Sequence, residues 1–297
     1  GDLKKAKDIL LTIIEKNPNN YNAHKFLAEI YEKEGGIRKA IDEYVRCIEI
    51  NKKDYDSYYK VALLLNDLEK KDEAIEMLYG LIDKKPDYYN ATVTLGDLLI
   101  ETEKYKEAVS ILTEALKYNP TSFELNYGLG MAYTMLNDFQ RAKEYYEKAA
   151  ELNSLLYHAK LSLAQIAIIY GELDEAEMYL FESLKDKELE SGSYYYLAQI
   201  AMLKGDEDKA INYMKVAVEI EPELYEKMEK DTIFIPIKNN IEKPAEYRKK
   251  QQRKLTIDQK VQKHLENTCS IVGKLNNSDL KMMRNVLENQ KYKGRER

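Results

Sequence analysis

Apolar side chains return along this chain at helical intervals, and the helical stretches themselves return at a fixed longer step. Leu95 and Leu99 lie one turn apart, as do Leu112 and Leu116, with polar residues between them. Spacing of i and i+4 marks a helix with one buried face. The apolar phase is lost between the two stretches, near Glu103. The same interruption recurs at Gly35, Glu69, Asn137, Gly171 and Gly205. The pattern therefore predicts a unit of helix, short turn, helix, copied along the chain.

The copies keep an unbroken register. Alanine stands at Ala6, Ala40, Ala74, Ala108, Ala142, Ala176 and Ala210, always 34 residues apart. A large apolar residue followed by a small one recurs at Leu27-Ala28, Val61-Ala62, Leu95-Gly96, Leu129-Gly130, Leu163-Ala164 and Leu197-Ala198. An aromatic opens the units at Tyr21, Tyr55, Tyr89, Phe123, Tyr157 and Tyr225, with Ser191 as the gap. Proline closes several units at Pro18, Pro86, Pro120 and Pro222; Lys52, Ser154 and Glu188 depart from that column. Small residues belong where two helices cross closely, and proline belongs where a helix must stop. A single helix pair cannot bury its own apolar face, so the copies are expected to stack.

These columns resemble the tetratricopeptide repeat (TPR), over about residues 1–237. Tyr31, Tyr133, Tyr44 and Tyr146 fall on the family's aromatic positions. Its usual tryptophan is replaced by His24, Tyr58, Thr92, Asn126, Lys160 and Tyr194. The resemblance implies an all-α fold, a right-handed superhelical solenoid of helix-turn-helix repeats with extra C-terminal helices. The expected division is a half repeat at 1–20, six full repeats at 21–224, a closing helix at 225–237 and a basic helical tail at 238–297. Because the sequence opens inside a repeat, more repeats or another domain are expected before Gly1.

Charge divides the chain in a way the overall net of −6 conceals. Residues 238–297 carry 16 Lys and Arg against 7 Asp and Glu, a net of +9, leaving −15 for residues 1–237. The densest basic stretch is 247–254, YRKKQQRK. Beyond it Ile257, Val261, Leu265, Thr268 and Val272 form one helical stripe ending at Gly273, and Ser278 or Asn277 suits the cap of a last helix carrying Leu280, Met283, Val286 and Leu287. Such a tail suits a solvated helix face, an anionic membrane surface, or the acidic repeats themselves. Nucleic acid is disfavoured, since the tail has no recognition motif and the larger acidic body repels phosphate.

No constellation points to catalysis. Gly128 and Gly130 lack the third glycine and preceding strand of a phosphate loop. His24, His158 and His264 lie in different units without ligand spacing, and Cys47 and Cys269 lie too far apart for a redox pair. The expectation is a non-enzyme with no cofactor and no metal. With two separated cysteines, a reducing, cytoplasmic compartment is the simpler reading. No apolar run approaches a membrane span. The 25 tyrosines mostly occupy repeat columns, which assigns them to packing.

What remains is binding. In the family the first helix of each repeat lines an inner groove, through its second, fifth, sixth, ninth, twelfth and thirteenth positions. The early repeats place Asn22, Lys25, Glu29, Glu32, Asp56, Tyr59, Asn66, Asp67, Asn90, Asp97 and Glu101 there. The later ones place Tyr127, Met131, Met135, Leu161, Gln165, Ile168, Ile169, Tyr195, Gln199, Met202 and Leu203. The groove thus passes from acidic and polar to apolar. Lys25 matches one position of the family's carboxylate clamp, but Glu29 stands where the clamp needs asparagine, so that subclass is rejected. The site expected from the resemblance is Tyr127, Met131, Met135, Leu161, Gln165, Ile168, Tyr195, Gln199 and Met202, holding a protein or peptide segment. The basic tail is a candidate occupant, against the alternative that it extends the repeats. Two other functions compete with this scaffold: a recognition arm of a larger enzyme or regulator, and an adaptor working through the basic tail.

Overall fold

The computed structural model describes residues 3–244. The tail features at 247–287, the basic stretch among them, lie outside the described residues. By contacts the described residues fall into two compact units, 3–189 and 190–244. The described part is all-α, built of consecutive helix-turn-helix pairs.

In the first unit a lone helix, α1 (Leu3–Lys16), precedes five pairs: α2 (Tyr21–Lys33) with α3 (Ile37–Ile50), α4 (Tyr55–Asp67) with α5 (Lys71–Lys84), α6 (Tyr89–Glu101) with α7 (Tyr105–Leu116), α8 (Phe123–Met135) with α9 (Phe139–Leu152), and α10 (Tyr157–Tyr170) with α11 (Leu173–Ser183). A short 3-10 turn, Lys187–Leu189, ends the unit. The second unit pairs α12 (Glu190–Leu203) with α13 (Glu207–Ile220), followed by α14 (Leu224–Lys230) and 3-10 turns at Thr232–Phe234 and Lys238–Asn240. The expected closing helix at 225–237 is thus helical only to Lys230. There Asp231 turns extended (φ −84°, ψ 116°) and its side chain caps the next turn through Ile233 N–H.

All six intra-repeat turns share one device. Gly35, Glu69, Glu103, Asn137, Gly171 and Gly205 are left-handed, with φ between 58° and 78°. At each the left-handed residue's N–H reaches the carbonyl three back, and the next N–H reaches five back, as in Glu103 to Ile100 and Lys104 to Leu99. This double closure satisfies carbonyls that the helix end leaves bare. Five helix starts are satisfied as locally: Asn20, Asp54, Ser122, Asp138 and Asp206 each accept from the backbone N–H three residues on.

The columns go where helices meet. Ala40, Ala74, Ala108, Ala142, Ala176 and Ala210 are all fully buried, whereas Ala6, on α1, is only half-buried. Leu27, Leu95, Leu129, Leu163 and Leu197 are likewise enclosed, each burial contributing about 1.5–3 kcal/mol. At Gly96 and Gly130 the approach is closest. A methyl group at Gly96 would stand 2.5 Å from Leu112 Cδ2, and one at Gly130 would stand 2.6 Å from two ring carbons of Tyr146. At the family's tryptophan position His24, Thr92 and Asn126 are buried, whereas Lys160 is half-buried; His24 bonds Glu43 and the Pro18 carbonyl, and Asn126 donates to the Ser122 carbonyl.

Candidate functional site

The first helices carry the predicted groove positions, and within the first unit these change character from α2 to α10. Over α2 and α4 lies a cleft of about 630 Å³ whose lining includes Lys25, Glu29, Glu32, Asp56, Tyr59, Lys60 and Tyr88. Most of its charges are already matched. Lys25 Nζ reaches Asp54 (3.2 Å) and Ser57 Oγ (2.9 Å) and lies 5.5 Å from the Tyr44 ring centre. Glu32 accepts from Lys60 (2.8 Å) and from the Tyr44 hydroxyl (2.9 Å). Burial alone would raise the Glu32 carboxyl, but those donors outweigh it and hold the group below its ordinary value. Asp54 behaves in the same way: burial opposes its ionisation, and hydrogen bonds from Ser57, Tyr21 and Lys25 more than compensate. Lys25, the residue matching the clamp, is therefore an internal tether.

Successive first helices are also joined by tyrosine hydroxyls. Tyr59 meets Thr94 Oγ1 (3.0 Å), Tyr88 donates to Asp56 (2.7 Å), and Tyr89 reaches Ser122 (2.8 Å) and Glu124. Burial pushes the Tyr127 phenol up to about 12, with Tyr146 and Asp97 adding to the effect and a hydrogen bond with Ser162 opposing it. Asp97 itself, on α6, makes no hydrogen bond and no ion pair with any described residue. Its side chain reaches solvent, yet the surrounding wall of protein raises its carboxyl above the ordinary value.

Beyond Asp97 the wall turns apolar. Tyr127 and Met131 are half-buried and lean on the core; Leu161, Gln165 and Ile168 are half-buried; Met135 and Ile169 are exposed by 50% and 56%. In the second unit the predicted residues have another role. Tyr195 is buried, its hydroxyl donating to Asp231 (3.0 Å) and its ring meeting Phe234 edge-on at 5.5 Å. Gln199 donates to the same carboxylate (2.7 Å), and Met202 packs half-buried against the core formed with Phe234 and Ile237. Residues 224–241 thus cover the face of α12 that was expected to be open. The sequence pattern missed the tyrosine-to-next-repeat bonds, although the recurrence of tyrosine at a fifth position and Thr94 or Ser162 at a sixth is their signal. Among the described residues no group of three or more His, Cys, Asp or Glu could hold a metal ion. None of the described helices is long and apolar enough to cross a membrane.

The repeated pair, its register and its left-handed turns define a helix-turn-helix repeat protein. The chain is a tetratricopeptide-repeat protein: models described as tetratricopeptide repeat match residues 99–153, 135–188 and 191–224. Among solved structures it is similar to pilF of Pseudomonas aeruginosa, with 19% identity and a TM-score of 0.60 over 81% of this chain and 100% of that one. It is similar to YrrB, described as a TPR protein with an unusual peptide-binding site, at 24% identity and a TM-score of 0.52, covering 62% of this chain and 97% of that one. A MamA from Desulfovibrio magneticus RS-1 matches at 17% identity and a TM-score of 0.52, over 56% and 93%. At these identities the likenesses speak for the fold. No curated protein matches the sequence.

Proposed function

We propose that this chain is a protein-interaction scaffold, and that it holds a peptide segment along the first helices of its first unit. Binding centres on Tyr127, Met131, Met135, Leu161, Gln165 and Ile168. The observation that carries this reading is the contrast between the two units. Tyr195 and Gln199 are engaged by Asp231 from the same chain, whereas Met135 and Ile169 stand open. Apolar side chains on a helical face, beside half-buried tyrosine and glutamine, suit an extended segment anchored by aliphatic or aromatic residues. The carboxylate-clamp mode is not the one proposed, because Lys25 is held by Asp54. YrrB, similar in fold, is named for a peptide-binding site, which agrees with this assignment.

The experiment is selection of random dodecapeptides on the intact chain, followed by measurement of the selected peptides on Met131→Glu with Ile168→Glu. Loss of binding with unchanged far-UV circular dichroism is expected. Binding retained by that double variant places the site elsewhere.

A further inference from the structure

Charged side chains on the first helices of the first unit are mostly matched within the chain. Lys60 is bound to Glu32, Lys71 to Glu101, and Lys160 to Glu182. Asp97 lies on α6, and neither α6 nor the next first helix, α8, contains a lysine, arginine or histidine. The other carboxylates these helices carry have partners: Glu101 is paired with Lys71, and Glu124 accepts from Tyr89 and Ser122. A carboxylate so placed projects negative potential into a stretch of groove to which neither helix brings a cation. Tyr127 stands on the next first helix, which packs against α6, at the register position that Tyr59 holds relative to Glu29, and those two line one cleft.

The same chain shows what an acid and a tyrosine hold together. Lys25 reaches Asp54 while lying over Tyr44 at 5.5 Å. In the second unit Lys227 lies over Tyr195 at 4.2 Å, and that tyrosine donates to Asp231. In both places a carboxylate and an aromatic ring meet beside an ammonium group. Charge pairing and attraction to the ring face act together in such a corner. At Asp97 and Tyr127 the acid and the ring are present, and no described residue supplies the cation.

We infer that Asp97 and Tyr127 form a subsite for a lysine or arginine side chain of a bound peptide, with Met131 and Leu161 seating the aliphatic residue next to it. This rests on the groove reading above and gives the ligand its chemistry: an extended segment with a basic residue adjacent to an apolar anchor. The two requirements differ physically. Desolvating the aliphatic residue supplies affinity, and the carboxylate selects against neutral and acidic competitors.

The same dodecapeptide selection on the intact chain tests it. Selected sequences are expected to share a lysine or arginine beside a leucine, isoleucine or methionine. A fluorescein-labelled selected peptide should bind Asp97→Asn about tenfold or more weakly, and its analogue with norleucine in place of the basic residue should bind Asp97→Asn and the unaltered chain alike. Added salt should weaken the basic peptide and spare the analogue. The melting temperature of Asp97→Asn should be no lower than that of the unaltered chain, which separates lost recognition from lost folding. Peptides that lose binding on Met131→Glu yet ignore Asp97→Asn, or that share no basic position, overturn the subsite and leave the groove standing. Peptides indifferent to Met131→Glu overturn the groove and the subsite with it, and a selection that enriches nothing counts against both.

Discussion

Replacing Gly130 and Gly80 by alanine should move stability in opposite directions, although both glycines lie inside helices. Gly80 lies in α5, and a methyl group there would meet nothing within 4 Å. Alanine should stabilise this position by about 0.5–1 kcal/mol, because it restricts the unfolded chain and shields the backbone. Gly130→Ala brings the same intrinsic gain, so the difference between the two variants isolates packing. Its methyl would stand 2.6 Å from Cδ1 and Cε1 of Tyr146 and 2.9 Å from Cγ, against an ordinary carbon contact of about 3.5–4.0 Å. The ring must retreat by about 1 Å. It has little freedom to do so: Tyr146 is 3% exposed, its hydroxyl is bonded to Thr134 (3.3 Å), and its ring lies against Tyr127 at 5.5 Å. Overpacking of this kind costs about 1–3 kcal/mol. The two variants should therefore differ by about 1–3 kcal/mol, with Gly80→Ala the more stable. Each kilocalorie is worth about 2–4 °C in melting temperature for a unit of this size. Thermal and urea melts followed by circular dichroism measure it. A Gly130→Ala chain that melts with or above Gly80→Ala would refute the close crossing of α8 and α9.

Three further outcomes follow from other parts of the fold. Ala142→Leu, at a fully buried crossing, should cost about 1–3 kcal/mol, read as an earlier urea midpoint. Glu103→Gly should stabilise by up to about 1 kcal/mol, because Glu103 holds φ 62°, a conformation that costs a side-chain-bearing residue about 1–2 kcal/mol while glycine costs more in the unfolded chain; Gly35→Ala should do the reverse, and both are read by the same melts. Asp54 is held below its ordinary value of 3.8 by Ser57, Tyr21 and Lys25. A depressed carboxyl contributes stability above that value and loses it as pH falls through the lower folded one. Acid unfolding should therefore steepen below about pH 4 in the unaltered chain, and Asp54→Asn should lower stability at neutral pH while flattening the acid limb. Equal acid profiles would remove Asp54 from that account.

Much of the fold was legible because the repeat writes the same physical demand many times. The columns located every intra-repeat turn, including those at Glu69, Glu103 and Asn137, where no glycine announces a left-handed residue; phase alone places them. Register could not rank the crossings. Ala28 and Tyr44 occupy the same columns as Gly130 and Tyr146, and both residues of each pair are buried. By column the alanine at one and the glycine at the other look interchangeable, while the distances at Gly130 say otherwise. The candidate site was legible as a list of groove positions and illegible as a charge map. Whether Lys25 or Asp97 is free depends on partners such as Asp54, 29 residues away, and no periodicity encodes them. Tyr195 and Gln199 illustrate the same gap: their columns match the open positions of earlier repeats, and only the path of residues 224–241 assigns them to Asp231.

That path makes the second unit its own competitor. A foreign segment seeking the Tyr195 and Gln199 face must displace Asp231 and Phe234; Asp231 lies 36 and 32 residues further along the same chain, and the tether presents it at an effective concentration on the order of millimolar. Only ligands able to outbid such a neighbour would register there, so weak encounters are filtered out without any rejecting contact. The same tether makes the filter adjustable. Weakening it at one point, for instance by Asp231→Ala, would lower the threshold for every incoming ligand at once, whatever its sequence.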